Sequence, residues 1–170
     1  MKIGRFLKLE VYGESHAPKI GMRLEGFPAG LKIDFDSLKA FMERRAPGRD
    51  EFSTPRYEPD EPQFIAGVKD GVTTGETIEA VIVNTNTRSR DYEKSIPRPG
   101  HADYTGALKY AGFNDPRGGG HFSGRITAGL VVAGAIIISA LNKKGIFIET
   151  LVLNAADQGL NMEIFENSLN

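Results

Sequence analysis

A chain of 170 residues, 40% hydrophobic and 25% charged, has the composition of one soluble globular domain with room for a core, and is neither disordered nor fibrous. Its formal net charge of −1 excludes a global field toward nucleic acid or an acidic membrane, so any basic character has to be local. The lack of cysteine excludes a disulfide scaffold and a thiolate metal site, and Met1-Lys2-Ile3-Gly4-Arg5 has no apolar run of a signal peptide, so a cytoplasmic setting is expected.

In chain order, residues 7–12 and 22–25 read as strands. Residues 36–45 read as a short helix with Asp34 or Asp36 as its N-cap. The stretch 45–62 is polar, contains proline and follows no periodic pattern, so a long loop is expected there, either mobile or ligand-ordered. Residues 64–68 and 78–84 read as strands flanking an Asp70-Gly71 turn signal. Residues 104–111 read as a second short helix, stopped by Gly112. Residues 128–141 are apolar on nearly every face. They fall short of the roughly 20 residues a bilayer demands and are bracketed by Arg125 and Lys143-Lys144, which predicts a buried helix lying between two layers. Ser123 or Gly124 would begin it, and Gly145 would end it as a residue in the left-handed conformation. Residues 146–153 read as a final strand. Helices and strands mixed in this order give an α+β fold, with no internal repeat and no low-complexity tract.

The chemistry concentrates in Arg98-Pro99-Gly100-His101-Ala102-Asp103-Tyr104 and in Asp115-Pro116-Arg117-Gly118-Gly119-Gly120-His121-Phe122-Ser123-Gly124-Arg125. A glycine triplet is costly in backbone entropy and buries no side chain, so it belongs where the backbone runs close to a ligand or turns through positive φ. Feeding a helix N-terminus, it offers N–H groups and the positive end of a dipole to an anion. No G-x-G-x-x-G opens a βαβ unit, so a dinucleotide fingerprint is absent. His16 lies where Gly13 and Pro18 force a loop at a strand end. A lone loop histidine is more often a surface or hydrogen-bonded residue, yet only imidazole titrates near neutrality as a ready general acid or base. His101 is either a turn residue capping the next helix or an imidazole set beside an anion-binding arginine, and Asp103 reads as an N-cap. Arg44, Arg45, Arg49, Arg98, Arg117 and Arg125 all fall in loops or at element ends. Their planar forks suit phosphate and carboxylate oxygens, and together they suggest a local positive basin.

The same order of motifs continues upstream: Tyr12-Gly13-Glu14-Ser15-His16, Glu43-Arg44-Arg45-Ala46-Pro47-Gly48-Arg49, Arg56-Tyr57-Glu58-Pro59-Asp60-Glu61, Thr73-Thr74-Gly75 and Asn84-Thr85-Asn86-Thr87-Arg88-Ser89-Arg90-Asp91-Tyr92. With Arg98-Pro99-Gly100-His101-Ala102-Asp103-Tyr104, they closely resemble chorismate synthases. The resemblance implies a lyase that eliminates phosphate from 5-enolpyruvylshikimate 3-phosphate with the help of reduced FMN, and NADPH where the enzyme reduces its own flavin. It implies a layered α+β sheet/helix sandwich assembled as a homotetramer, of which residues 1–170 would be a single domain, the N-terminal half, with residues 123–144 as its central helix. It makes His16 the proton donor to the departing phosphate and places His101 near the flavin. Arg44, Arg45, Arg98 and Arg125 fall at substrate positions, Arg45 also at the nicotinamide nucleotide, and His121, Phe122, Ser123 and Gly124 at the flavin turn. At that turn the sequence departs from the family, with His121 in place of an arginine and Phe122 in place of a serine, and Ala17 stands where glycine is usual. Family members are considerably longer, and their second half supplies further flavin contacts and an active-site aspartate.

The partner expected is therefore a small phosphorylated molecule, with no nucleic acid and no membrane. A second class of reading is a noncatalytic fold unit that binds anions or oligomerises. A nucleic-acid module fits poorly with negative net charge and no stacking platform.

Overall fold

The computed structural model describes residues 1–46, 60–85 and 96–150, together with two short strands beyond them. Its elements in chain order are β1 (Lys2–Ile3), β2 (Lys8–Gly13), β3 (Lys19–Glu25), α1 (Phe35–Arg45), β4 (Gln63–Ala66), β5 (Val68–Lys69), β6 (Val72–Thr73), β7 (Ile78–Val83), α2 (Asp103–Lys109), α3 (Ala128–Asn142), β8 (Asn154–Ala155) and β9 (Gln158–Gly159). Two 3-10 turns, Arg117–Phe122 and Gly124–Thr127, lead into α3. The fold is α+β: a five-stranded antiparallel sheet in the order β1-β2-β3-β7-β4, with α1 and α3 packed on one face.

Period-two alternation decides which face that is. Ile20, Met22 and Leu24 of β3 are buried, while Arg23 and Glu25 point the other way. Across the strand pairs, Met22 lies opposite Val11 of β2 and Ala80 of β7, and Ile20 lies opposite Ile82. Helix α3 covers this apolar surface with Ala128, Val132, Ala133, Ala135 and Ile136. It comes close because of Gly129, where a Cβ would stand 3.0 Å from Val11 Cγ1 and 3.2 Å from the Gly21 carbonyl oxygen. Helix α1 adds Leu38 and Met42, one turn apart, to the same core. Asp34 starts α1 by accepting from the Ser37 N–H at 2.9 Å, and Arg44 and Arg45 close it at the end of the dipole that favours cations. On the opposite face of the sheet, Arg23 pairs with Glu79 at 3.0 Å and Glu10 at 3.7 Å. Burial and a hydrogen bond to Glu79 push the Tyr12 hydroxyl up to about 12.

Several sequence expectations take a different form in three dimensions. The strand read at residues 22–25 begins at Lys19, because Gly21 carries no side chain to extend the alternation and the Tyr12 ring covers it instead. The Asp70-Gly71 signal makes a small hairpin of β5 and β6, with both turn residues at positive φ, and β4 pairs with β7 beyond it. Helix α2 stops at Lys109, before residue 111, because Ala111 enters the left-handed region at φ 50 ahead of Gly112 at φ 78. At the end of α3, Gly145 takes φ 73, and the N–H groups of Gly145 and Ile146 return to the carbonyls of Asn142 and Leu141, the paired bonds of a Schellman turn. Residues 146–150 form no strand. Ile146, Phe147 and Ile148 are all exposed, and no neighbouring strand within the described residues takes up their backbone groups; residues 151–153 lie outside the described residues, as does most of the loop expected at 45–62.

Helix α3 does not lie between two layers among the described residues. The sheet covers one side and α1 flanks it, while Leu130, Val131, Gly134 and Ile138 remain half-buried. With its preceding turns, Arg117–Asn142 is long and apolar enough to cross a membrane by length and composition. Its burial against β2, β3 and β7 is that of a core helix.

The seat of α3 on β3 gives a direct test. Gly129→Val places an isopropyl group, three extra carbons, against Val11 and Met22, and overpacking of this kind costs about 1–3 kcal/mol. Urea denaturation is expected to show a lowered midpoint with an unchanged slope; an unchanged midpoint would mean that α3 is free to move away from the sheet.

Candidate functional site

Four segments distant in sequence meet at the end of β2. The chain leaves β2 through Gly13 at φ 101 and turns through Glu14-Ser15-His16-Ala17-Pro18 into β3. Asn84, just past β7, fastens this turn: its Nδ2 donates to the carbonyls of Ala17 at 2.7 Å, Glu14 at 3.3 Å and Ser15 at 3.4 Å, and its backbone N–H donates to Pro18 at 3.0 Å. Ser15 donates its N–H to the Gly120 carbonyl at 3.1 Å. His16 is thereby buried, 8% exposed, against the glycine loop.

The three loop glycines take φ 59, 86 and 54, so the triplet is a run of left-handed residues that other side chains resist. The close approach it permits is to the protein itself. A Cβ on Gly118 would lie 2.3 Å from His16 Cε1 and 2.9 Å from Ser15 Oγ, and one on Gly120 would lie 2.0 Å from the Asp115 carbonyl oxygen. The backbone donors expected to serve an anion are partly used within the loop. Arg117 N–H goes to Asp115 Oδ1 at 3.0 Å, Gly119 N–H to Pro116 at 3.2 Å and Arg125 N–H to Ser123 Oγ at 3.3 Å. Ser123 caps the second 3-10 turn through that last bond.

Positive charge gathers beside this loop. Arg125 is 8% exposed and donates from Nε to Asn84 Oδ1 at 2.9 Å. Its Nη1 and the Nη1 of Arg45 each reach one oxygen of the same carboxylate, that of Asp60, and Arg45 Nη2 also lies 3.5 Å from the Gly124 carbonyl. Arg44 is exposed, its guanidinium 5.1 Å from the Phe41 ring centre. With Arg45 it borders a groove of about 240 Å³ floored by Val131, Gly134 and Ile138 between α1 and α3. Arg117 is tied to Asp115 at 2.6 Å, and its hydrogen bonds hold the Asp115 carboxyl below the usual carboxylate range. Arg49 and Arg56 lie outside the described residues.

The second motif forms its own unit at the head of α2. Asp103 does not cap the helix: the N-cap position is Ala102, without a side-chain bond. Its carboxylate instead grips Arg98, Nε at 2.8 Å, Nη2 at 2.9 Å and the backbone N–H at 3.0 Å. A carboxylate on the helix's first residue suits the dipole, and a fork clamped by it is more stable than a capping bond. His101 is exposed beside this pair. Helix α2 meets the glycine loop through Gly106, where a Cβ would come 2.9 Å from the Phe122 ring, and through Tyr110, edge-on to His121 at 5.0 Å. His121 stacks on Phe122 at 4.0 Å, and its buried Nε2 has no hydrogen-bond partner among the described residues. Phe122 is 45% exposed.

The structure thus brings His16, Arg45, Arg125, Ser123 and Gly124 together, sets His121 and Phe122 along one side, and carries Arg98 and His101 on the turn that precedes α2. Two residues that motif reading passed over organise the group. Asn84 and Asp60 appear in the sequence only as members of polar strings, and no local pattern marks their long-range partners.

The family model described as chorismate synthase matches residues 7–168. Chorismate synthase of Thermococcus kodakarensis is 44% identical over 145 residues, 84% of this chain and 41% of that protein. That of Campylobacter curvus is 46% identical over 156 residues, 91% of this chain and 44% of the relative. A crystal structure of chorismate synthase superposes with a TM-score of 0.68 at 28% identity, covering 92% of this chain and 40% of the other. The chain therefore spans less than half the length of these relatives.

Two measurements probe this geometry. Gly118→Ala must both hold φ 59 and displace the His16 ring, and is expected to lower stability by about 1–3 kcal/mol while moving the imidazole signals in an NMR spectrum; an unmoved His16 ring would disprove the mould. The hydrogen bonds from Arg98 lower the Asp103 carboxyl from 3.8 to about 2. Since the folded value is depressed, the pair stabilises fully above pH 4, and its contribution is lost as the pH falls toward 2. Carboxyl NMR is expected to return Asp103 to about 3.9 in Arg98→Ala, and an unshifted midpoint would show that the fork does not hold it.

Proposed function

The chain belongs to the chorismate synthase family, and on that footing we propose that it supplies the phosphate-binding and proton-donating part of an enzyme that converts 5-enolpyruvylshikimate 3-phosphate to chorismate by 1,4-elimination of phosphate, in the shikimate route to aromatic amino acids. The observation that supports this most is the meeting of a buried imidazole, His16, with two guanidiniums, Arg45 and Arg125, around one glycine loop. The substrate brings a phosphate and two carboxylates, and paired forks are the side chains that hold such oxygens with defined geometry. A phosphate leaves more readily when a proton is delivered to it. We assign that step to His16, a reading supported by its burial beside the loop, which keeps the ring in one orientation. Arg44 extends the positive lining toward the groove, Arg98 offers a fork held in one orientation by Asp103 at the head of α2, and His101 offers a second, exposed proton carrier next to Arg98.

Reduced FMN, the cofactor implied by the family, fits one flank of this arrangement. Phe122 offers a half-exposed ring, His121 a buried nitrogen awaiting a hydrogen bond, and Gly124 a backbone position at which even a Cβ would meet nothing within 4 Å. When bound, the reduced flavin supplies transient electron donation to the substrate with no net redox change. We assign Arg45 also to NADPH, which would keep that flavin reduced. The working protein in this reading is a homotetramer of longer chains, and the 170 residues alone would bind FMN weakly without turnover.

The reading is tested in a protein extended to the relatives' length. Phosphate release from the substrate, measured anaerobically with chemically reduced FMN, is expected, and His16→Ala and His101→Ala are each expected to slow it by about 10²-fold or more with the fold retained. Arg45→Ala should weaken binding of the phosphorylated substrate by about 1.5–3 kcal/mol. Full FMN binding with no phosphate release would leave only a noncatalytic anion-binding unit.

A further inference from the structure

Asp60 is 1% exposed and sits at φ 48, in the left-handed region that few residues besides glycine, asparagine and aspartate enter. What this bend delivers is a carboxylate with both oxygens taken, Oδ2 by Arg45 from the last turn of α1 and Oδ1 by Arg125 from the turn that leads into α3. A carboxylate shared between two guanidiniums leaves one net positive charge on the group instead of two. It also cancels the repulsion that would otherwise drive the two cations apart. Arg125 passes the constraint on. Its Nε holds Asn84 Oδ1 at 2.9 Å, and Asn84 Nδ2 in turn holds the carbonyls of Ala17, Glu14 and Ser15, which bracket His16. Each link joins segments at least 41 positions apart except that of Arg45 with Asp60, which spans 15, so none is a by-product of local helix or strand geometry.

We propose that Asp60 is a positioning residue of this site: its buried carboxylate sets Arg45 and Arg125 and, through Arg125 and Asn84, holds the turn that carries His16. This deepens the reading above and rests on it, because the roles given there to Arg45 and His16 are what make their placement matter.

The test is NMR of the isotope-labelled 170-residue chain, without substrate or cofactor. In Asp60→Asn the Arg125 Nε–H signal is expected to shift and lose its protection from exchange and the His16 ring signals to move, while the amide signals of Met22 and Ala80 in the sheet stay in place. Glu79→Gln, which breaks an ion pair on the opposite face of the sheet, should move neither reporter. If Asp60→Asn does not fold, Asn84→Ala decides the matter, since it cuts the relay without removing the charge: His16 signals are expected to move there with the sheet intact. Unchanged Arg125 and His16 signals in a folded Asp60→Asn, unchanged His16 signals in Asn84→Ala, or equal movement of both reporters in Glu79→Gln would each overturn the proposal. No ligand enters the measurement, so an inactive enzyme with coupled signals sinks only the functional reading, and an active one with uncoupled signals sinks only the proposal.

Discussion

A carboxylate taken out of water has to find its hydrogen bonds inside the protein, and Asp60 finds them on guanidiniums from two different helical segments. Removing one member of a buried pair of this kind costs about 3–5 kcal/mol, because the charge left behind is neither solvated nor matched. The apolar contacts of Leu38 and Met42 with α3 bring α1 and α3 together, but hydrophobic attraction has no direction and tolerates sliding and rotation. Charged hydrogen bonds are directional. The core therefore decides where the helices lie, and the ion cluster decides how their ends face each other. That division of labour is what allows a site to be built from residues as far apart as Arg45, Asn84 and Arg125.

The glycine loop shows how far local reasoning reaches. Three successive glycines announce positive φ, and all three adopt it; a following apolar run announces a helix, and α3 forms. A sequence cannot say what a bare backbone is approaching. Here the near neighbour is the His16 ring, so the triplet serves an imidazole as a mould, and the Gly119 N–H, like those of the flanking Arg117 and Arg125, is spent inside the loop, on Pro116, Asp115 and Ser123 respectively. Strand β3 was legible only from Met22 on, where apolar and charged residues alternate, because Gly21 hides the continuation to Ile20, and the two-residue β1 has too little sequence to carry a period. Asp60 and Asn84 were not legible. Their partners lie on other elements, and an aspartate in a polar, proline-containing stretch looks like any solvated acid until the chain is folded.

A count of arginines does not show where their counter-ions fall. Arg98 is held by Asp103, five residues on, and Arg117 by Asp115, two residues back. These pairs form within single loops, and each neutralises its cation where it stands. Arg45 and Arg125 share the Asp60 carboxylate between them, so those three groups together carry one net positive charge in a largely buried place. Charge in a buried, poorly screened place acts far more strongly than the same charge at the surface. The electrostatic character of the site thus comes from which acids are shared, a property of the fold, and little from the arginine count.

The stretch after α3 presents the opposite case, a pattern without a partner among the described residues. Ile146, Phe147 and Ile148 have the β-branched and aromatic character that strands favour, yet all three are exposed and the backbone stays irregular. A helix satisfies its own backbone groups, so α3 forms as soon as one apolar face is covered. A strand cannot do the same: its N–H and C=O groups need a neighbouring edge, and its side chains need a facing layer. The half-buried side of α3 lacks such a layer among the described residues too. Both features follow from one physical difference, namely that helical order is local and sheet order is not, so residues 146–150 keep the composition of a strand while none of the described residues supplies the pairing that would make them one.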